Sequence, residues 1–248
     1  MSLSIEAIGA TVVIEGHVAS ITLDSGAGLN LLDAALRQDL ATAVQDVAAN
    51  RDVRVVIVTG AHGVFASGIE PIPDDPAPAG AASVIAALRN PTLAWIDGEC
   101  IDMGLELALA CDVRFASPTS TFGLRGVQHG ALPWDGGTQR LARAVGRGHA
   151  LRLLLTGEIV GAEEALRIGL IQGVGDAEMA AAWAVRAATG APIASAYAKE
   201  AVAEAGDLAL GQGLRLETDL SILLQSTADR AEGLAAFTAK RKRAFEGR

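Results

Sequence analysis

The sequence predicts an α/β fold, with strand, loop and helix units over residues 1–190 and a helical region over residues 191–248. Two observations carry this. The runs 53–59 and 92–96 are short, β-branched and almost continuously apolar, as in strands buried on both faces. Each leads through a glycine-bearing segment towards a stretch with helical periodicity, and from about Gly136 onward only helices separated by Gly or Pro remain.

In chain order, 11–15 and 18–23 alternate around Gly16 and read as a hairpin. Asn30 is placed to cap a helix in which Leu32, Leu36, Leu40, Val44 and Val47 recur at helical spacing up to Ala49. The strand 53–59 closes on Gly60. The next segment holds Pro71, Pro73, Pro76 and Pro78, which suit a loop and neither a central strand nor a regular helix. A helix over 81–89 stops before Pro91, the strand 92–96 follows, and after a turn at Gly98 an apolar helix over 103–110 precedes a strand over 113–116. Helices are then expected over 138–145, 149–155, 162–168, 177–188, 193–205, 214–224 and 228–245.

Composition narrows the function classes. The chain has 248 residues, enough to bury a large core without disulfides. No apolar run reaches the roughly 18 to 20 residues of a membrane span. A formal charge of −9 and a pI near 4.9 disfavour nucleic acid and anionic membranes as partners. With only Cys100 and Cys111 and no secretory-type N-terminus, a reducing cytoplasm is expected. The four histidines are scattered, so no metal site is expected. No dinucleotide-binding, phosphate-loop or serine-elbow glycine motif is present.

Three segments remain as candidates. Ala66-Ser67-Gly68-Ile69 follows a buried strand and brings backbone N–H groups close to a ligand, although a plain strand-to-loop turn reads the same way. Gly98 to Glu106 is a turn entering a helix whose first amides, Met103 among them, are unpaired and suited to a negative oxygen. Glu106 follows on the same face, flanked by Leu105, Leu107, Ala108 and Leu109, where an acid is costly unless paired or used. The third segment, Leu132 to Arg140, offers Asp135 as a helix cap and Trp134 as wall or core.

Together these segments resemble the crotonase, or enoyl-CoA hydratase/isomerase, family over nearly the whole chain. The resemblance rests on Leu23-Asp24 with Leu29-Asn30, Val55 to Gly60 with Phe65 to Glu70, Gly98 to Asp112, Gly136 to Leu141, and Phe237 to Arg248. It implies a spiral of ββα units with a C-terminal helical trimerisation region, in trimers that often pair as hexamers. The implied substrate is an acyl-CoA thioester, with CoA present only as part of that substrate and no separate cofactor.

Site residues carry over position by position. The oxyanion-hole amides fall on Ile69 and Met103, the latter usually glycine in the family. Glu106 falls on the first of two catalytic glutamates. The second is missing: the family's Pro-Glu pair is Arg125-Gly126 here. Asp135, one residue from a position that is acidic in some members, is a candidate second acid. Gly28, Leu29, Ser67, Gly68, Gly126 and Trp134 are expected around the thioester, with Phe237 on adenine and Lys240 on phosphate of a neighbouring subunit's CoA. Hydration with a single glutamate is the first reading. Isomerisation, hydrolysis or decarboxylation through a thioester enolate, or acyl-CoA binding without turnover, are the alternatives left open by Gly126.

Overall fold

The structure, a computed structural model, describes residues 8–26, 28–68 and 80–248. The hairpin forms as β1 (Gly9–Glu15) antiparallel to β2 (Val18–Asp24). Next come α1 (Ala34–Ala49), β3 (Val55–Gly60), α2 (Ala81–Ala86), β4 (Thr92–Ile96), β5 (Glu99–Ile101), α3 (Met103–Ala110), β6 (Val113–Ala116) and β7 (Thr121–Gly123). The later elements are α4 (Gly137–Thr156), β8 (Val160–Gly161), α5 (Ala162–Arg167), β9 (Gly173–Val174), α6 (Ala177–Ala188), α7 (Pro192–Glu204), α8 (Leu210–Leu224) and α9 (Ala228–Thr238).

The large sheet has the order β1-β2-β3-β4-β6-β9, parallel throughout except for β1. A second layer runs beside it through the bridges Leu31–Ser67 and Ala66–Cys100, then β5, β7 and β8. Successive passes therefore run from large sheet to second layer to helix: β2, Leu31, α1; β3, Ala66-Ser67, α2; β4, β5, α3; and β6, β7, α4. This is the ββα spiral that the resemblance implies, in which each second-layer segment precedes a helix in the chain.

The β-branched strands alternate faces. Val56 and Val58 join the main core with Leu36 and Leu40 of α1, whereas Val55, Ile57, Leu93 and Phe115 pack under Ala180, Ala184 and Ala188 of α6. Trp183 meets Phe115 edge-on at 6.2 Å between centroids. Both clusters draw only on residues up to Ala188.

Two local expectations are corrected, the cap of α1 and the end of the last helix. Asp33, not Asn30, caps α1 by accepting from the Leu36 amide at 2.8 Å. Asn30 is fully buried, with its amide donating to the carbonyls of Ala61 and Val64. The separate helices expected over 138–145 and 149–155 are both present as the two halves of α4, which is broken at Gly146, where φ 76° and ψ 161° are not helical. The last helix stops at Thr238, because the tail folds back and Asp229 accepts from the amides of Glu246 and Gly247.

Candidate active site

Glu106 lies on the first turn of α3, only 2% exposed, on the side facing α4. Its Oε1 accepts from the backbone amides of Asp135 at 2.9 Å and Gly137 at 2.8 Å. Two glycines permit this arrangement. A Cβ at Gly137 would meet Glu106 Cγ at 2.9 Å, and one at Gly104 would sit 1.9 Å from the Ala66 carbonyl oxygen, so α3 packs against the second layer only with glycine there. Burial pushes the Glu106 carboxyl above the usual carboxylate range, outweighing the two amides, which favour ionisation.

Glu106, Met103, Gly68, Gly126 and Trp134 share the wall of a cavity of about 30 Å³, room for roughly one water. The expected residues thus converge from four separate segments. Trp134 lies under the Arg37 guanidinium at 5.6 Å, and its indole N–H is buried without an acceptor among the described residues. Met103 N–H donates to the Gly68 carbonyl at 3.1 Å, so the amide expected to polarise a thioester already has a partner. Ser67 is buried and bridges Leu31, which brings the exposed turn at Gly28 and Leu29 beside this strand, although neither lines the cavity. Ile69 lies outside the described residues.

Asp135 has a different place from the one expected. Its Oδ2 accepts from the Ala82 amide at 2.6 Å, and its Oδ1 from the amide and hydroxyl of Ser83 at 3.1 and 2.6 Å. The carboxylate caps α2, and only the backbone N–H reaches Glu106. As a second acid it is therefore badly placed. Phe237 and Lys240 line a separate cavity of about 710 Å³ between α9, the tail and α7, so one chain does not bring them to Glu106.

Sequence reasoning missed Asp102, which also lines the small cavity. It is 5% exposed, with φ 53° and ψ −115°, a region that strains a residue with a side chain by about 1–3 kcal/mol. Arg125 holds its carboxylate through its amide at 2.5 Å, Nε at 3.1 Å and Nη2 at 2.9 Å. The available signal was an acid one turn before Glu106, at the start of the same helix.

Other chemistry finds little support. Cys100 and Cys111 are free and buried; burial pushes Cys111 up to about 12 and Cys100 well above its usual value, so neither is a thiolate at neutral pH. Among the described residues no group of three or more His, Cys, Asp or Glu could hold a metal ion, and no helix is long and apolar enough to cross a membrane.

Residues 13–71 and 80–248 match the family model described as enoyl-CoA hydratase/isomerase. The chain belongs to that family. It is 37% identical to a probable enoyl-CoA hydratase of Rhizobium meliloti, over 94% of this chain and 96% of the relative. It is 34% identical to the (E)-benzylidenesuccinyl-CoA hydratase of Thauera aromatica, over 96% and 98%. A crystal structure of enoyl-CoA hydratase from Bacillus anthracis superimposes with a TM-score of 0.91 at 32% identity, covering 97% of this chain and all of that one. The protein is thus an acyl-CoA-processing enzyme of the enoyl-CoA hydratase/isomerase type, and the buried glutamate of α3 sits at the centre of its candidate site.

Proposed function

We propose that the enzyme adds water to the double bond of an α,β-unsaturated acyl-CoA and removes it in the reverse direction, with Glu106 as its acid-base group. The observation that carries this reading is a buried carboxyl held through one oxygen by two amides, beside a cavity the size of a water. Its raised proton affinity suits it to taking a proton from water and returning one to carbon. As the water oxygen bonds to the β-carbon, its proton passes to Glu106. The electron pair of the double bond moves towards the thioester carbonyl, and the α-carbon then takes the proton from Glu106.

The amides of Met103 and Ile69 are the proposed donors to the thioester oxygen, which displaces the Gly68 carbonyl from Met103. Loss of one such donor typically costs about 3–4 kcal/mol of transition-state stabilisation. Gly28, Leu29, Ser67, Gly68, Gly126 and Trp134 would frame the acyl thioester, and Phe237 and Lys240 the CoA nucleotide of a neighbouring subunit. CoA enters as part of the substrate, with no separate cofactor.

A second reading, favoured by the absence of a side chain at Gly126, is a different reaction through the same enolate: isomerisation, hydrolysis or decarboxylation. Turnover of crotonyl-CoA and longer or cyclic enoyl-CoAs, followed by loss of the conjugated thioester absorbance, separates the two readings. Hydration that Glu106→Gln abolishes supports the first; binding of acetoacetyl-CoA without hydration of any enoyl-CoA favours the second.

A homotrimer, alone or paired as a hexamer, is proposed for the assembly, with residues 191–248 carrying oligomerisation and covering CoA. It is supported by exposed apolar residues on the C-terminal helices, Val202, Leu210, Leu214, Ile222 and Leu234. A cytoplasmic setting is proposed from the two unpaired cysteines.

A further inference from the structure

Gly126 leaves the cavity without a carboxyl on the wall formed after β7, yet the cavity is not left with Glu106 as its sole acidic residue. Asp102 lines it too. The two acids are four residues apart: Asp102 directly precedes α3, and its carbonyl accepts from the amide of Glu106, in the first turn, at 3.0 Å. Asp102 also touches the segment that lacks the acid. Its N–H donates to the Gly123 carbonyl at 2.9 Å, and its Oδ1 accepts from the amide of Arg125, the residue directly before Gly126. The guanidinium of Arg125 takes Oδ2 through Nε and Nη2, which fixes the carboxylate plane. This acid is held at a backbone conformation that favours glycine, and such strain persists where the surrounding structure imposes it.

We propose that Asp102 is the second carboxylate of the site, holding the attacking water opposite Glu106, with Arg125 as the residue that positions it. The proposal rests on the hydration reading. One O–H bond of the water breaks and its proton goes to Glu106, while the oxygen bonds to the β-carbon. The other hydrogen stays on that oxygen, hydrogen-bonded to Asp102, and ends in the product hydroxyl. Asp102 neither gains nor loses a proton over the cycle, and the α-carbon is protonated by Glu106.

The test uses Asp102→Gly, which the local backbone favours, in the full-length enzyme with crotonyl-CoA. Wild-type hydration that depends on Glu106 is established first; its absence would refute the hydration reading and this proposal with it, whereas the D102G outcomes below bear on Asp102 alone. For D102G the expected result is a fall in kcat of about 10²-fold, within the range for a positioned acid-base group, with acetoacetyl-CoA affinity unchanged. Added formate, a small carboxylate that fits the space vacated beside Arg125, is expected to restore turnover, and nitrate, a planar anion that pairs with Arg125 but is a far weaker base, is not.

Wild-type kcat in D102G, failure of formate, or equal rescue by both anions would overturn the proposal, the last by showing that the carboxylate only neutralises Arg125. Should D102G fail to fold, Asp102→Asn is assayed instead, with the same loss of kcat expected and wild-type kcat contradicting it.

Discussion

At Glu106 two effects oppose each other: burial among leucines favours the protonated carboxyl, and the amides of Asp135 and Gly137 favour the carboxylate. Burial wins, which sets two pH dependences. A base that must be ionised to accept a proton from water gives a kcat that rises with pH, and the midpoint of that limb is expected above the ordinary carboxylate value of about 4.5 and absent in Glu106→Gln. Stability moves the other way. A carboxyl whose folded pKa is raised costs nothing below the unfolded value, and stability falls as pH rises from there through the folded value. Denaturant titrations across that window are expected to show a shallower fall in E106Q. At Asp135 the geometry predicts a structural role. Asp135→Asn keeps an acceptor for α2 but no acid, so kcat is expected to stay within about tenfold of wild type, below the 10²-fold scale of a lost acid-base group, while the thermal midpoint drops. A larger loss of kcat without a change of midpoint would contradict the cap.

The elements show why some of the fold was legible in the sequence and some was not. β3 was visible because Val55, Val56, Ile57 and Val58 are all buried, two towards each core, and no turn residue interrupts them. α3 was visible because every one of its residues is buried, so the lone acid at 106 stood out. Features set by contacts distant in sequence were hidden. Asn30 binds carbonyls 31 and 34 residues away, and Asp135 caps a helix 53 residues before it. Asp102 was hidden for the same reason: its partner, Arg125, comes from the far side of β6 and β7. The tight approach of α3 to Ala66 gives an element-scale prediction. Gly104→Ala puts a methyl against a backbone oxygen at 1.9 Å, and overpacking of this kind typically costs about 1–3 kcal/mol, so a clear fall in thermal midpoint is expected and an unchanged one would contradict this packing.

Across the whole molecule, the cores end at Ala188, and the helices beyond it hold on through a few polar ties. Lys199 reaches Asp112 at 2.9 Å and the Asn90 carbonyl at 3.0 Å, and Arg54 reaches the Phe245 carbonyl at 2.6 Å. These helices expose Val202, Leu210, Ile222 and Leu234. A trimer buries such residues, and light scattering of Ile222→Glu against wild type is expected to show a loss of assembly, together with weaker CoA binding if Phe237 and Lys240 serve a neighbour's site. An unchanged mass would place the interface elsewhere. Hydration nevertheless turns first on the Glu106 carboxyl beside a water-sized space. The most direct measurement is therefore steady-state hydration of crotonyl-CoA by wild type and Glu106→Gln, with acetoacetyl-CoA binding to both as the control for folding. The account predicts turnover by wild type, a loss of about 10²-fold or more in the variant, as for removal of a general acid-base group, and equal binding. Equal turnover in the two proteins would contradict it.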